Sequence, residues 1–208
     1  MSGVGHFTRR MSVLAVAFAP VLALLAVLAA PARADQVSDL IAAAARHYGR
    51  GEMNAAASAL EYAAQIIRDA RSAALLRFLP RPLKGWTATD GAGETVGAPG
   101  FSGGSTAARD FMFRDAVVSV SIAADSLALK PAMAMLSNPA LATADGGRIE
   151  RIGQQPALVK YDHANRSGTI TLVVGQRFLV SLSGGGVEPD VLRAYANGVD
   201  IAGLIAFN

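Results

Sequence analysis

The sequence predicts an α+β fold in which an N-terminal antiparallel helical hairpin precedes a mainly antiparallel sheet with helices packed on it. Two observations support this prediction. Residues 35–79 carry apolar side chains at helical spacing, whereas residues 107–183 contain short runs in which apolar and polar residues alternate. Because only short turns separate most of these runs, neighbouring strands are expected to be antiparallel.

The first 34 residues have the pattern of a secretory signal peptide. Arg9 and Arg10 precede an apolar run over residues 11–30, and Ala32-Arg33-Ala34 supplies a small-x-small cleavage site. An uncleaved membrane anchor is the alternative, since such an anchor needs about 20 apolar residues. We expect cleavage after Ala34 and a periplasmic or secreted protein. The predicted domains are the signal peptide (1–34), the helical hairpin (35–79) and an α+β sandwich domain (80–208).

The charge balance argues against nucleic acid as a partner. The chain has 19 Lys and Arg against 16 Asp and Glu, a formal net charge of +3. The first 34 residues hold three arginines and no acid, so the rest of the chain is formally neutral. The chain has no cysteine, which excludes disulfides and thiolate metal sites. We therefore expect neither nucleic-acid binding nor stable membrane insertion after cleavage.

Two amphipathic helices are predicted in residues 35–79. Gly49 lies where a residue in the left-handed conformation would end the first helix. The second helix is predicted to end before Pro80. The short joint between them predicts an antiparallel pair. The apolar stripes comprise Val37, Leu40, Ile41, Ala44 and Tyr48 on the first helix, and Ala56, Leu60, Ala63, Ala64, Ile67, Ala70 and Ala74 on the second.

At Ala44, Tyr48-Gly49, Ala59-Leu60 and Ala63 this hairpin resembles one tetratricopeptide repeat, in which a Tyr and small residues pack two helices together. Such repeats bury their faces by stacking, and the sequence contains no second copy. We therefore expect the hairpin to pack on the following sheet or on another copy of itself. A homo-oligomer is one of the expected assemblies.

A stiff, proline-containing connector leads to Trp86 and a short strand, 86–89. The indole either covers the end of a core or stacks on a ligand. Residues 90–106 are rich in Gly, Ser, Thr and Ala and predict a mobile loop. The Gly91–Gly97 segment superficially resembles a phosphate-binding loop, but it lacks the flanking strand and helix that such loops require.

The remaining strands are predicted over 107–113, 116–124, 149–152, 155–161, 169–174 and 178–183, and the three glycines 184–186 are expected to break the sheet. A short helix is predicted over 127–136. A closing helix should start near Pro189, with Asp190 at the positive end of its dipole and a buried stripe that extends from Leu192 to Ala202. The helices are expected on one face of the sheet.

The hairpin near Gly175 admits two registers. A two-residue loop at Gly175-Gln176 would mix apolar and polar side chains on both faces. A three-residue loop, 175–177, instead pairs Val174 with Phe178 and keeps one face wholly apolar. We predict the second register, because a one-residue slip inverts every side chain of a strand. Its apolar pairs are Val174 with Phe178, Leu172 with Val180, and Ile170 with Leu182.

The order of these elements, from the Gly85-Trp86 strand through the Val117–Ile122 strand and the meander to the final helix, resembles the α/β/α sandwich of Mog1 and PsbP-like proteins. The chain from the signal peptide through Pro82-Leu83-Lys84-Gly85-Trp86 to Val159-Lys160-Tyr161-Asp162 also resembles a group of exported bacterial proteins with no assigned activity. PsbP-like members are mostly accessory or assembly factors, so the resemblance implies a non-catalytic role.

Two constellations could carry chemistry. Asp162, His163 and Ser167 could form a hydrolase set, although turn propensity also explains Asp, Asn, Ser and Gly in this loop. Met133 and Met135, with Met112 or His163 as a third ligand, could hold Cu(I), although methionines also fill irregular cores. The other His that follows the signal peptide, His47, is expected at a helix surface.

We therefore expect an exported, non-catalytic binding or assembly module without a cofactor, whose partner is a protein or a small ligand. The alternatives are a Cu(I)-binding protein and a hydrolase. The hairpin and the glycine-rich loop are the expected binding surfaces, with Tyr48, Arg50, Trp86 and Phe101 as the candidate contact residues.

Overall fold

The structure is a computed structural model that describes residues 31–92, 104–144 and 146–207. It confirms the α+β class, with two N-terminal helices followed by an antiparallel sheet on which helices pack. The chain divides into two compact units, the first ending at Ala63 and the second beginning at Ala64. Residues 1–30 of the predicted signal peptide (1–34) lie outside the described residues.

The first unit contains α1 (Pro31–Gly49) and the N-terminal part of α2 (Met53–Leu75). The turn between the helices is closed by a hydrogen bond from the Glu52 amide to the His47 carbonyl, 3.0 Å. Gly51, with φ +76°, takes the left-handed conformation there. The prediction that Gly49 would do so is wrong by two residues, because α1 continues through Gly49 before the chain turns.

The predicted boundary after residue 79 differs from the division into compact units, which falls inside α2. The C-terminal part of α2 belongs to the sheet unit because its side chains are buried there. Ser72 is buried and accepts a hydrogen bond from the Thr106 amide at 3.0 Å, and Leu75 is fully buried. No helix within the described ranges is long and apolar enough to cross a membrane.

The second unit is a sheet with flanking helices. A 3₁₀ turn (Leu76–Phe78) follows α2. The strands are β1 (Thr87–Ala92), β2 (Ser105–Phe113), β3 (Ala116–Ala124), β4 (Arg148–Ile152), β5 (Gln155–Asp162), β6 (Ser167–Val174) and β7 (Phe178–Gly185). The helices are α3 (Leu129–Ser137), α4 (Pro139–Ala144), α5 (Pro189–Asn197) and α6 (Ile201–Ala206).

The seven strands form one sheet in the order β1-β2-β3-β7-β6-β5-β4, and every neighbouring pair is antiparallel. The chain leaves β3 near the middle of the sheet, passes through α3 and α4, and enters β4 at the far edge. It then returns strand by strand until β7 pairs with β3. This return brings residues from distant parts of the sequence together at the centre of the sheet.

The predicted register of the β6–β7 hairpin is confirmed. Val174 pairs with Phe178, Leu172 with Val180, and Ile170 with Leu182. All six side chains are buried in the core, on the face that α5 and α6 cover. The alternation of apolar residues thus determines which face of these strands is inside.

The prediction that all helices lie on one face is wrong. The second face buries Ala123, Leu158 and Leu179 at one end, and α3 contacts β5, β6 and β7. Because side chains alternate between faces along each strand, these residues point away from the α5 and α6 layer. We infer that α3 covers this end of the second face.

Two other predictions about the C-terminal segment need correction. The glycines 184 and 185 do not break the sheet, since both pair with β3 and β6. The closing helix begins at Pro189 as predicted but ends at Asn197, and Ala202 is exposed. The interruption between α5 and α6 has a local cause. Asp200 caps α6 by accepting a hydrogen bond from the Gly203 amide at 2.8 Å, while its own amide donates to the Phe78 carbonyl.

Candidate functional site

The helical hairpin of the first unit is held together by a narrow seam of alanines. Among residues 35–63, the buried side chains are those of Ala44, Ala56 and Ala63. Each Å² of apolar surface removed from water stabilises the fold by about 25 cal/mol. Three buried methyl groups remove little such surface. Most of the large apolar side chains on the two predicted stripes therefore remain only partly covered.

One side of this hairpin is apolar and exposed. Ile41 and Tyr48 are 50% and 67% exposed on α1, and Met53 and Leu60 are 56% and 51% exposed on the part of α2 in this unit. Small exposed residues lie between them. We name this surface the hairpin face, and it consists of Ser38, Ile41, Ala42, Ala45, Tyr48, Met53, Ala57 and Leu60.

The members of the hairpin face lie on one side because of helix geometry. Successive residues of an α-helix are about 100° apart around its axis. When either helix is viewed from its N-terminus, the residues of the hairpin face lie clockwise from the buried alanines. In an antiparallel pair of right-handed helices the clockwise sides coincide. Gln36 and Tyr62 lie counterclockwise of the seam, and their side chains approach to 3.5 Å on the opposite side of the hairpin.

The turn beside the hairpin face is closed by charged residues. Arg50 donates to both oxygens of Glu52, each at 2.9 Å, and His47 Nδ1 lies 2.5 Å from Glu52 Oε2. The Arg50 guanidinium, with His47 beside it, lowers the pKa of Glu52 to about 2. Arg50, predicted as a contact residue, is thus engaged within its own turn, whereas Tyr48 is available at the edge of the face.

Trp86 packs inside the second unit. Its ring stacks on Phe113 with centroids 5.7 Å apart and meets the edge of Tyr195 at 5.5 Å. The Tyr195 hydroxyl accepts a hydrogen bond from the Leu83 amide at 3.3 Å, which ties the connector to α5. This packing favours the prediction that the indole covers the end of a core. The other predicted contact residue, Phe101, lies outside the described residues, as do residues 93–103 of the glycine-rich loop.

The Asp162–Gly168 loop is organised as a turn. Asp162 accepts hydrogen bonds from the amides of Ala164 and Asn165, at 2.8 and 3.2 Å, and from the Asn165 side chain at 2.5 Å. These bonds lower the pKa of Asp162, with the Asn165 side chain as the largest cause. His163 packs its ring edge against Tyr161 instead of bonding to Asp162 or Ser167. The loop carboxylate therefore stabilises the turn and does not orient a base.

The candidate copper ligands do not converge. Met133 and Met135 are two residues apart on α3 and point to different sides of it. His163 follows Asp162, and the ladder from Asp162 to Met112 crosses four strand spacings, roughly 19 Å. Met112 and His163 are thus too far apart to share an ion. Within the described ranges, no three His, Asp or Glu side chains are placed to hold a metal.

The open end of the second sheet face carries an ordered set of hydroxyl groups. The register aligns Ser119, Ser183 and Thr169 in one row and Ser121, Ser181 and Thr171 in the next. A shallow depression of about 460 Å³ lies at the end of the first row, lined partly by Lys160, Thr169 and Ser183. Serine and threonine are ordinary on a solvated antiparallel face, so this arrangement does not by itself indicate a ligand.

The small members of the hairpin face were not predicted from the sequence. Ala42, Ala45 and Ala57 lie outside the predicted stripes, and their role depends on which side of the hairpin is covered. A signal was present in the sequence, since both helices carry alanines on two adjacent sides. Helical periodicity alone assigned the large residues Ile41 and Leu60 to a buried stripe.

Comparisons with known proteins add no functional assignment. No protein-family model matches the sequence, and no curated protein matches it. A crystal structure from Bacteroides thetaiotaomicron, whose description states no activity, is similar at 12% identity with a TM-score of 0.34. The similarity covers 58% of this chain and 41% of that one, so this chain spans less than half of its length.

Proposed function

We propose that this chain is an exported, non-catalytic module that binds a protein through the hairpin face. The observation that supports the proposal is the exposure of Ile41, Tyr48, Met53 and Leu60 around a seam of three buried alanines. Exposed apolar residues scattered singly are ordinary, but a contiguous group on one side of an element is typical of an interaction site. Export is expected from the signal sequence.

The composition of the hairpin face suits a protein partner better than a small ligand. A small molecule is usually bound in a concave pocket with a few polar groups that orient it. The hairpin face is instead a two-helix surface on which large and small apolar residues are mixed. Such a surface can accept a helix from another protein, with the alanines allowing close approach.

The geometry of the Asp162–Gly168 loop also supports a non-catalytic module. Asp162 is committed to the turn through three hydrogen bonds, and His163 packs on Tyr161. A nucleophile needs a base within hydrogen-bond reach and a third group that orients the base. The resemblance to PsbP-like accessory factors motivates the same non-catalytic interpretation.

Site-specific photo-crosslinking in cells that export the protein tests the proposal. A benzophenone amino acid replaces Tyr48, which lies on the hairpin face, or Tyr62, which is similarly exposed on the opposite side. We expect Tyr48→benzoylphenylalanine to give a discrete protein adduct and the Tyr62 variant to give little. The adduct should be lost when Leu60→Glu is added.

Equal labelling at the two positions, or none at Tyr48, would contradict the proposal. Hydrolysis of a generic ester or peptide that is lost in Ser167→Ala would contradict its non-catalytic part. Circular dichroism of each variant checks that the helices remain folded. Leu60 is half exposed, so its replacement by Glu should leave the monomer intact.

A further inference from the structure

We infer that the partner of the hairpin face is a second copy of this chain, and that the two faces form an isologous homodimer. The inference rests on the proposed function, since it names the partner of the same surface. An isologous contact applies one patch to itself, so the patch must contain both protrusions and depressions that fit each other. The hairpin face meets this condition.

The spacing on α1 is self-complementary. If two α1 helices pair antiparallel about a centre at Ala43, Ile41 of each copy lies opposite Ala45 of the other. In the same register Tyr48 lies opposite Ser38. Each large exposed side chain of α1 thus meets a small one, which is the arrangement that lets two helices interdigitate.

The distribution of charge also suits self-pairing. The eight residues of the hairpin face are uncharged, and the charged residues nearest to them, Asp35, Arg46 and Glu61, lie at its rim. An isologous contact brings identical residues close to the symmetry axis, where like charges would repel. A lipid surface is less favoured as the occupant, because two of these three rim residues are acidic, whereas helices that bind anionic lipid carry mainly Lys or Arg beside their apolar face.

The area available predicts a weak dimer. From the exposure of its residues, the face offers roughly 500–600 Å² per copy, so two copies would bury about 1,000–1,200 Å² at the lower end of specific interfaces. We therefore expect a dissociation constant in the micromolar range, on the order of 1–100 μM. The dimer should form and dissociate within the concentration range of ordinary sedimentation experiments.

Sedimentation equilibrium of the exported full-length product, with its N-terminus defined by intact mass, is the first test. We expect a concentration-dependent monomer–dimer equilibrium. Leu60→Glu should raise the dissociation constant at least about tenfold, because it places a charge in the contact. Ser58→Glu introduces the same charge on the exposed opposite side of α2 and should leave the equilibrium unchanged.

Because the chain has no cysteine, single-cysteine variants give a second test that does not depend on destabilising the contact. Ala42 lies on the hairpin face close to the proposed symmetry axis, whereas the exposed Gln36 lies on the other side of α1, near Tyr62. Under mild oxidation Ala42→Cys should form an intermolecular disulfide, and Gln36→Cys should remain largely monomeric. Equal cross-linking of the two variants would overturn the inference.

The outcomes separate this inference from the proposed function. A wild-type chain that is monomeric at all concentrations, with a Tyr48 adduct whose mass is not twice that of the chain, overturns the homodimer and leaves protein binding in place. A monomeric chain without any Tyr48 adduct overturns both. A Tyr48 adduct of twice the chain mass, lost in Leu60→Glu and retained in Ser58→Glu, supports both.

Discussion

Gly184 lies in β7 directly beneath α5, and the addition of one methyl group there should destabilise the sheet unit. A Cβ at this position would lie 2.6 Å from Val187 Cγ2 and 2.7 Å from Leu192 Cδ2. Carbon atoms in good contact are about 3.5–4.0 Å apart, so these side chains would have to withdraw by roughly 1 Å. Both are only 2% exposed and have little room to do so.

The expected magnitude follows from two opposing effects. Overpacking of a buried site costs about 1–3 kcal/mol. Replacing Gly by Ala also restricts the unfolded chain, which recovers about 0.4–1 kcal/mol. We therefore expect Gly184→Ala to lower the free energy of unfolding by about 1–2 kcal/mol. Each kcal/mol should lower the Tm by roughly 2–4 °C.

Urea unfolding followed by tryptophan fluorescence measures this effect, because Trp86 is the single tryptophan of the chain and its ring contacts Tyr195 of α5. Gly185→Ala is the matched control. Gly185 is the next residue and faces the opposite side of the sheet, where a Cβ would have no atom within 4 Å. If Gly184→Ala proves as stable as Gly185→Ala, the close packing of α5 on β7 is refuted.

Three further outcomes are expected. The Arg193 guanidinium lowers the pKa of Glu150 below its usual 4.5, so this pair stabilises the folded state above that pH and its contribution is lost as the pH falls through the lowered pKa. Glu150→Gln should thus lower the free energy of unfolding by up to about 1 kcal/mol at pH 7. At acid pH the stabilities of variant and wild type should converge, as urea titrations at several pH values would show. Tyr195→Phe leaves the Leu83 amide without its hydroxyl partner and should cost about 1 kcal/mol in the same assay, whereas an unchanged midpoint would contradict the importance of that bond. Ser167→Ala should change neither Tm nor ester hydrolysis, and a loss of turnover would restore the hydrolase hypothesis.

Several features of the fold were predictable because they depend on neighbouring residues. The register of the β6–β7 hairpin follows from alternation, since only one pairing keeps Ile170, Leu172 and Val174 on the same side as their partners. The start of α5 follows from Pro189, which suits the first turn of a helix. The turn role of Asp162 also follows from its residue type and position.

The candidate sites were less predictable. Periodicity showed that Ile41 and Leu60 share a stripe with the buried alanines, but it could not show that the seam is too narrow to cover them. The copper hypothesis likewise depended on the order of strands. Insertion of β7 and β6 between β3 and β5 separates Met112 from His163.

The sequence by itself determined the α+β class, the extent of most strands and the inner face of β3, β6 and β7, because these depend on the local period of apolar side chains. The tertiary structure alone decided which distant segments meet: the pairing of β7 with β3, the place of Gly184 beneath Leu192, and the side of the hairpin left uncovered. The physical reason is that a side chain's direction is set by its own backbone, whereas its burial depends on what another part of the chain places opposite it.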